Sequence, residues 1–138
     1  LEVLETQGVP VITVGQNSFP AFWSKTSSLK SPLRMDSAAQ IASAHKTRAM
    51  MGLRGGQLIA NPIDAADEIP AEQLAPIIQA AQAEADAQGV KGKEVTPFLL
   101  QRIFELTEGR SLTANIALVR NNARFAARIS AILAIKDT

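Results

Sequence analysis

Val9-Pro10-Val11-Ile12-Thr13-Val14-Gly15 is a short β-branched run with Gly8 before it and Gly15 at its end. A run this short and this continuously apolar reads as a buried strand rather than one alternating between core and water. Directly before it, Leu1-Glu2-Val3-Leu4-Glu5-Thr6 sets Leu1 and Leu4 about one helical turn apart, and Gly8 stands where a helix stops. A helix end therefore feeds a strand. Because the chain lacks an initiator methionine and opens on what reads as a helix tail, its beginning is expected to be missing, so an absent motif says little about an absent activity.

Working outward, Gly55-Gly56 lead into Gln57-Leu58-Ile59-Ala60, a second short strand ended by the turn signal Asn61-Pro62. Between the strands, Asp36 or Ser37 caps a helix to Met51 whose stripe is Ala38, Ile41, Ala42, His45 and Ala49, with Gly52 closing it. Downstream, Ile69-Pro70-Ala71-Glu72 opens a long helix through Leu74, Ile77, Ile78, Ala81 and Ala85 to Gly89, with Pro76 in its first turns. After a loop over 90–95, Thr96 as N-cap and Pro97 at the first helical position predict a helix to about Thr107 carrying Phe98, Leu99, Ile103 and Leu106. Glu108-Gly109 breaks it, and Ser111 caps a last helix to about Ile135. Short strands separated by helices predict an α/β chain in which helices cover a sheet.

The stretch 16–32 has no sustained period and holds Phe19, Phe22 and Trp23, three of the chain's six aromatics. A loop this long binds or covers something, or is merely pinned by its rings, and the two readings stand level.

At 138 residues, 46% hydrophobic, with 14 Lys+Arg against 13 Asp+Glu, the chain has one domain's length and a net charge of +1. That balance supplies no field pointing to nucleic acid or an acidic membrane. No apolar run approaches the roughly 20 residues that span a bilayer. Zero cysteines exclude disulfides, thiolate metal sites and cysteine nucleophiles, and make the cytoplasm the default compartment.

On the last helix, Asn115, Val119, Asn122, Ala126, Ile129 and Leu133 fall on one face at about 100° per residue. A buried amide costs on the order of 1–3 kcal/mol unless its donors and acceptors are met, so each asparagine on this stripe needs a backbone group, a polar neighbour or a ligand. Asn121 extends the set. Asn115, near the start of the helix, suits a cleft, and Asn122, two turns deeper, suits a structural bond. Arg120, Arg124 and Arg128 repeat at i, i+4 and i+8 on another face, a solvated or subunit-contact row that can also receive a phosphate. His45, the single histidine, lies on an apolar stripe and reads as a core-edge residue rather than a ligand. Leu53-Arg54-Gly55-Gly56-Gln57 follows a helix and precedes a strand, the reverse of a phosphate-binding loop, and reads as a tight turn. Nothing in the spacing of Lys91, Lys93 and Glu94 makes them acid or base catalysts.

The ordered words are more specific. Leu4-Glu5-Thr6-Gln7-Gly8-Val9-Pro10-Val11, Phe19-Pro20-Ala21-Phe22, Arg34-Met35-Asp36-Ser37, Ala60-Asn61-Pro62-Ile63, Gly92-Lys93-Glu94-Val95-Thr96-Pro97-Phe98-Leu99-Leu100, Glu105-Leu106-Thr107-Glu108-Gly109 and the run from Ala114 to Ala123 follow one another. Their succession, over nearly the whole chain, resembles the carboxy-terminal part of the pseudouridine-5'-phosphate glycosidases, the family that includes indigoidine synthase A. The resemblance implies a layered α/β/α fold in which residues 1–138, an incomplete piece of a larger single domain, add short helix-covered strands to a sheet begun upstream, and it implies reversible cleavage of the C–C glycosidic bond of pseudouridine 5'-phosphate to uracil and ribose 5-phosphate. It implies a lysine that forms a Schiff base with the opened ribose, a glutamate that moves protons, and a divalent metal, manganese, that helps hold the phosphate. Lysine, glutamate and metal ligand belong to segments preceding the point matched by Leu1, so the chain alone is expected to be inactive and to need the missing amino-terminal part. A homotrimer is implied as well. Of the pocket residues, only the asparagine of the Ala-Asn-Ile segment maps here, onto Asn115, as the substrate-binding and catalytic residue. Val3 stands where an aromatic is usual. The alternative is a non-catalytic assembly or interaction module with the 16–32 loop as its contact.

Overall fold

The structure, a computed structural model, describes residues 1–135. The elements are α1 (Glu2–Thr6), β1 (Val11–Val14), β2 (Leu33–Met35), α2 (Ala38–Met50), β3 (Leu58–Ala60), α3 (Ala71–Ala87), a 3-10 turn (Gly92–Glu94), α4 (Val95–Leu106) and α5 (Arg110–Ala134). The strands form one parallel sheet in the order β2-β1-β3. Ile12 is level with Leu33 on one side and with Ile59 on the other. Val11, Ile12 and Thr13 are consecutive and all buried, and since successive side chains of a strand point to opposite faces, β1 must be covered on both. This is the α/β layered arrangement predicted from the short apolar runs. Thr13 is the cost of that position, because its hydroxyl is fully buried without a hydrogen-bond partner among the described residues.

The strand β2 was not foreseen, because three residues with Arg34 at the centre and Leu33 half exposed have neither the length nor the apolar continuity of a strand. It exists because the backbone of β1 pairs with it. Gly15, at φ +73, turns the chain away from β1 while its N–H still donates to the Met35 carbonyl at 3.0 Å.

Ser37, of the two candidate caps, starts α2, its hydroxyl accepting from the Gln40 N–H at 3.2 Å. Ile41 and Ala42 are buried. His45 is exposed, which corrects its reading as a core-edge residue, because the buried stripe of α2 is narrower than the apolar spacing suggests. The tight turn expected over 53–57 lies just before it, at Met51-Gly52, and 53–57 is an irregular stretch that bends at Gly55 (φ +91), with Arg48 reaching from α2 to the Arg54 and Gly56 carbonyls at 3.5 and 3.4 Å.

The main apolar cluster joins Ile63 and Ile69 to Leu74 and Ala81 of α3, Ile103 of α4 and Ala114 of α5, with Trp23, Ile77, Leu99 and Leu118 packed against it. Pro76 is held inside α3 in its second turn, a little deeper than a first-turn position. Two predicted caps are corrected. The helix α4 begins at Val95, directly off the 3-10 turn, so Thr96 and Pro97 are its second and third residues rather than cap and first position. Pro97 remains harmless there because first-turn N–H groups have no helical partner anyway. Ser111 does not cap α5, which starts at Arg110 with Gly109 at φ +83 as its N-cap. A side chain at Gly109 would also press within 3.4 Å of the Phe104 ring. Ser111 is instead buried, with its N–H donating to the Thr107 hydroxyl at 3.2 Å.

Candidate functional site

The 16–32 stretch is built into the fold. The Trp23 indole N–H donates to the Ser111 carbonyl at 3.0 Å, 88 residues away in the chain, and the Trp23 carbonyl accepts from the Ile69 N–H at 2.8 Å. Next to it, the buried Ser24 hydroxyl donates to the Ile69 carbonyl at 2.6 Å, and the Lys25 N–H donates to Glu68 at 2.7 Å. These bonds strap the loop across the 63–70 segment and the start of α5. The ring of Phe22 stays half exposed, edge-on to Trp23 with centroids 4.7 Å apart.

The strap bounds two openings on α5. The first, a cleft of about 420 Å³, has walls from Trp23, Leu100 and Phe104, with Gln101 at its side and Asn115 on the floor of α5. The Gln101 amide is held by Glu105 at 2.9 Å. The Asn115 carboxamide, half buried, has no hydrogen-bond partner among the described residues. One free amide among apolar and aromatic walls matches the flat face and polar edge of a small heterocycle. The sequence-selected Asn115 therefore lies in a cleft, as its place early in the helix suggested.

The other asparagines are already engaged. Asn121 donates to the Pro62 carbonyl at 3.2 Å, and Asn122 accepts from the Asn61 amide at 3.0 Å. The expectation that Asn122 makes a structural bond agrees with this contact. The buried stripe that was to contain it is corrected, since Val119, Asn122 and Ala126 are exposed, Ile129 and Leu133 are only partly buried, and the buried residues of α5 are Ser111 and Ala114. The helix rests on the molecule by its first turns, by packing along α2, and by its asparagine contacts to the 61–62 segment.

The second opening, of about 300 Å³, lies beyond the carboxyl ends of β1 and β3 and takes in Gln16, Lys25, Asn61, Asp64, Asn121 and Arg128. Sequence reasoning missed it, because its residues come from four separate stretches; only the Arg120, Arg124, Arg128 row pointed toward it. Arg120 and Arg124 lie exposed on the same helix.

Among the described residues no group of three or more His, Cys, Asp or Glu side chains could hold a metal ion, so these residues do not fit a manganese-type ion by themselves. Lys91, Lys93 and Glu94 are exposed around the 3-10 turn, away from both openings. No helix among the described residues is long and apolar enough to cross a membrane.

The family model for indigoidine synthase A like proteins matches residues 1–132. The pseudouridine-5'-phosphate glycosidase of Roseobacter denitrificans is 71% identical over 96% of this chain and 43% of its own length, and that of Paracoccus denitrificans is 62% identical over 97% and 44%. Among solved structures, a prealnumycin C-glycosynthase in complex with ribulose 5-phosphate superposes with a TM-score of 0.86 at 30% identity, covering 96% of this chain and 43% of that one. An indigoidine synthase A-like protein from Thermotoga maritima gives 0.79 at 32%, over 94% and 42%. The chain spans less than half the length of these relatives, in their carboxy-terminal part. With a family model matched almost end to end and curated relatives of such high identity, the chain belongs to the indigoidine synthase A-like family.

Proposed function

We propose that this chain supplies the base-holding part of an enzyme that reversibly cleaves pseudouridine 5'-phosphate to uracil and ribose 5-phosphate. The observation that carries it is the unpartnered Asn115 carboxamide in a cleft walled by Trp23, Leu100 and Phe104. Relatives that bear the glycosidase name, and a C-glycosynthase among the structural neighbours, support C–C glycoside chemistry.

Asn115 does two things in this reading. Its Nδ2 donates to a uracil carbonyl and its Oδ1 accepts from the ring N–H, fixing the base in plane while the aromatic walls cover its faces. In the cleavage direction a proton adds to C5 of the base, the C–C bonding pair restores the C5–C6 double bond and the sugar carbon is left as the imine, so Asn115 also keeps the ring in the orientation that this proton transfer needs. The Schiff-base lysine, the proton-transferring glutamate and a manganese-type ion come, in this proposal, from the amino-terminal part that the relatives possess, and assembly is as a homotrimer. No step assigned to residues 1–135 uses the metal.

A second reading, an assembly module without catalysis, is favoured by the half-exposed Leu112, Ile116 and Val119 on one side of α5. Uracil release from pseudouridine 5'-phosphate, measured for the chain alone and mixed with the amino-terminal part of the Roseobacter relative, separates the two. Release only in the mixture supports the glycosidase. Tight association without release supports the module, and release by the chain alone overturns the assignment of the lysine to a preceding segment.

A further inference from the structure

Beyond the Asn115 cleft, we propose that the crevice at the carboxyl ends of β1 and β3 binds a hydroxylated phosphate monoester, its phosphate on Lys25 and Arg128. In the order β2-β1-β3 the chain leaves the central strand for β2 on one side and returns through α2 as β3 on the other. The crevice between β1 and β3 is therefore the point where the winding reverses, which is where open parallel sheets take ligands. The opening of about 300 Å³ sits there.

Its walls are rigid and its cations are free. The Gln16 amide donates to the Ser18 and Lys25 carbonyls at 2.9 and 2.8 Å, and the Lys25 N–H is held by Glu68. Both backbone groups of Lys25 are thus fixed, while its ammonium has no partner among the described residues. Arg128, arriving from α5, has none there either. Two cations and one carboxylate, Asp64, line the crevice, while the Glu68 carboxylate beside it is taken up by the Lys25 N–H. An ammonium and a guanidinium converging on one opening suit a phosphate, which accepts from both.

The amides determine the rest of the ligand. Asn61 and Asn121 each donate through Nδ2 to a protein partner, to Asn122 and to the Pro62 carbonyl. Their Oδ1 atoms remain acceptors for hydroxyl groups, as does Asp64. A bare anion would leave these acceptors unmet; a hydroxylated phosphate ester satisfies both sets.

Calorimetric titration of the whole chain with ribose 5-phosphate, and separately with inorganic phosphate, tests this. The ester is expected to bind more tightly than about 1 mM and more tightly than inorganic phosphate. Lys25→Gln and Arg128→Gln should each weaken it about tenfold, with thermal midpoints moved by no more than ~2 °C, both side chains being exposed. Arg124→Gln, one turn from Arg128 but outside the crevice, and Asn115→Ala, in the other cleft, should leave the ester's affinity unchanged. The proposal is overturned if the ester does not bind, if inorganic phosphate binds equally well, if Arg124→Gln costs as much as Arg128→Gln, or if affinity follows Asn115. That last result would place the ester in the Asn115 cleft, whereas loss of uracil release with ester binding intact would count against the glycosidase reading alone.

Discussion

Two openings share one helix and one strap yet differ in which of their polar groups are occupied. In the cleft over the first turns of α5 the walls are apolar and the single asparagine is unpartnered. In the crevice beyond β1 and β3 the asparagines are tied to protein atoms and it is the cations that stand free. A residue type does not fix its role; its neighbours do. An amide whose donor is engaged inside the protein keeps only its acceptor for a ligand, and an amide left open among hydrocarbons offers both.

The largest effect expected is from the element both openings share. Trp23→Ala removes a packed ring and the indole bond to Ser111, and should cost ~3 kcal/mol in chemical or thermal unfolding. A loss below about 1 kcal/mol would mean that the strap merely lies on the surface. Next, Asn115→Ala in the complemented enzyme should lower turnover by one to a few powers of ten, about 1.4 kcal/mol per tenfold, while the unfolding midpoint stays put. Reduced stability with unchanged turnover would make Asn115 scaffold like its neighbours and dissolve the contrast. Asn121→Ala should do the reverse, costing about 1 kcal/mol of stability by leaving the Pro62 carbonyl unmet. Asn122→Ala, at an exposed contact, should cost roughly half that.

The smallest effect concerns acid. Hydrogen bonds from Gln101 and then from Arg102 hold the Glu105 carboxyl below its usual value of 4.5, and Arg102 is raised in turn by Glu84 and Glu105. A carboxyl depressed in the folded state adds stability that is present above its unfolded pKa and lost as pH falls through the folded one. A slight stability decline below about pH 4.5 is expected, and Glu105→Gln should flatten it. Because Gln101 borders the Asn115 cleft, protonating Glu105 also loosens that wall; NMR titration of the Gln101 amide would report it, and an unmoved amide signal would count against the linkage.

Much of this was legible in residue order. The β-branched runs at Val11–Val14 and Leu58–Ala60, the cap at Ser37 and the stops at Gly8, Gly52 and Gly89 are local signals, read within a few residues of themselves. Asn115 stood out because a polar residue early in a helix is conspicuous. The strand β2 was illegible because its partner lies some 20 residues back and Arg34 hides the apolar pattern. Ser111 looked like a cap because serine caps helices often, but tertiary contacts bury it under Trp23.

The sequence by itself determined the five helices, the strands β1 and β3, the family and the separation of α5's residues into asparagine and arginine rows, since these follow from spacing and ordered words along one dimension. Only the tertiary structure decided which asparagine is free and which cations converge. Lys25, Asn61, Asn121 and Arg128 are far apart in the chain, and what makes them neighbours is parallel pairing of β1 with β3 together with the strap's bonds to Ile69 and Ser111. Hydrogen bonding is short-ranged and saturable, so whether a polar group is occupied depends on which atoms folding brings within about 3 Å of it.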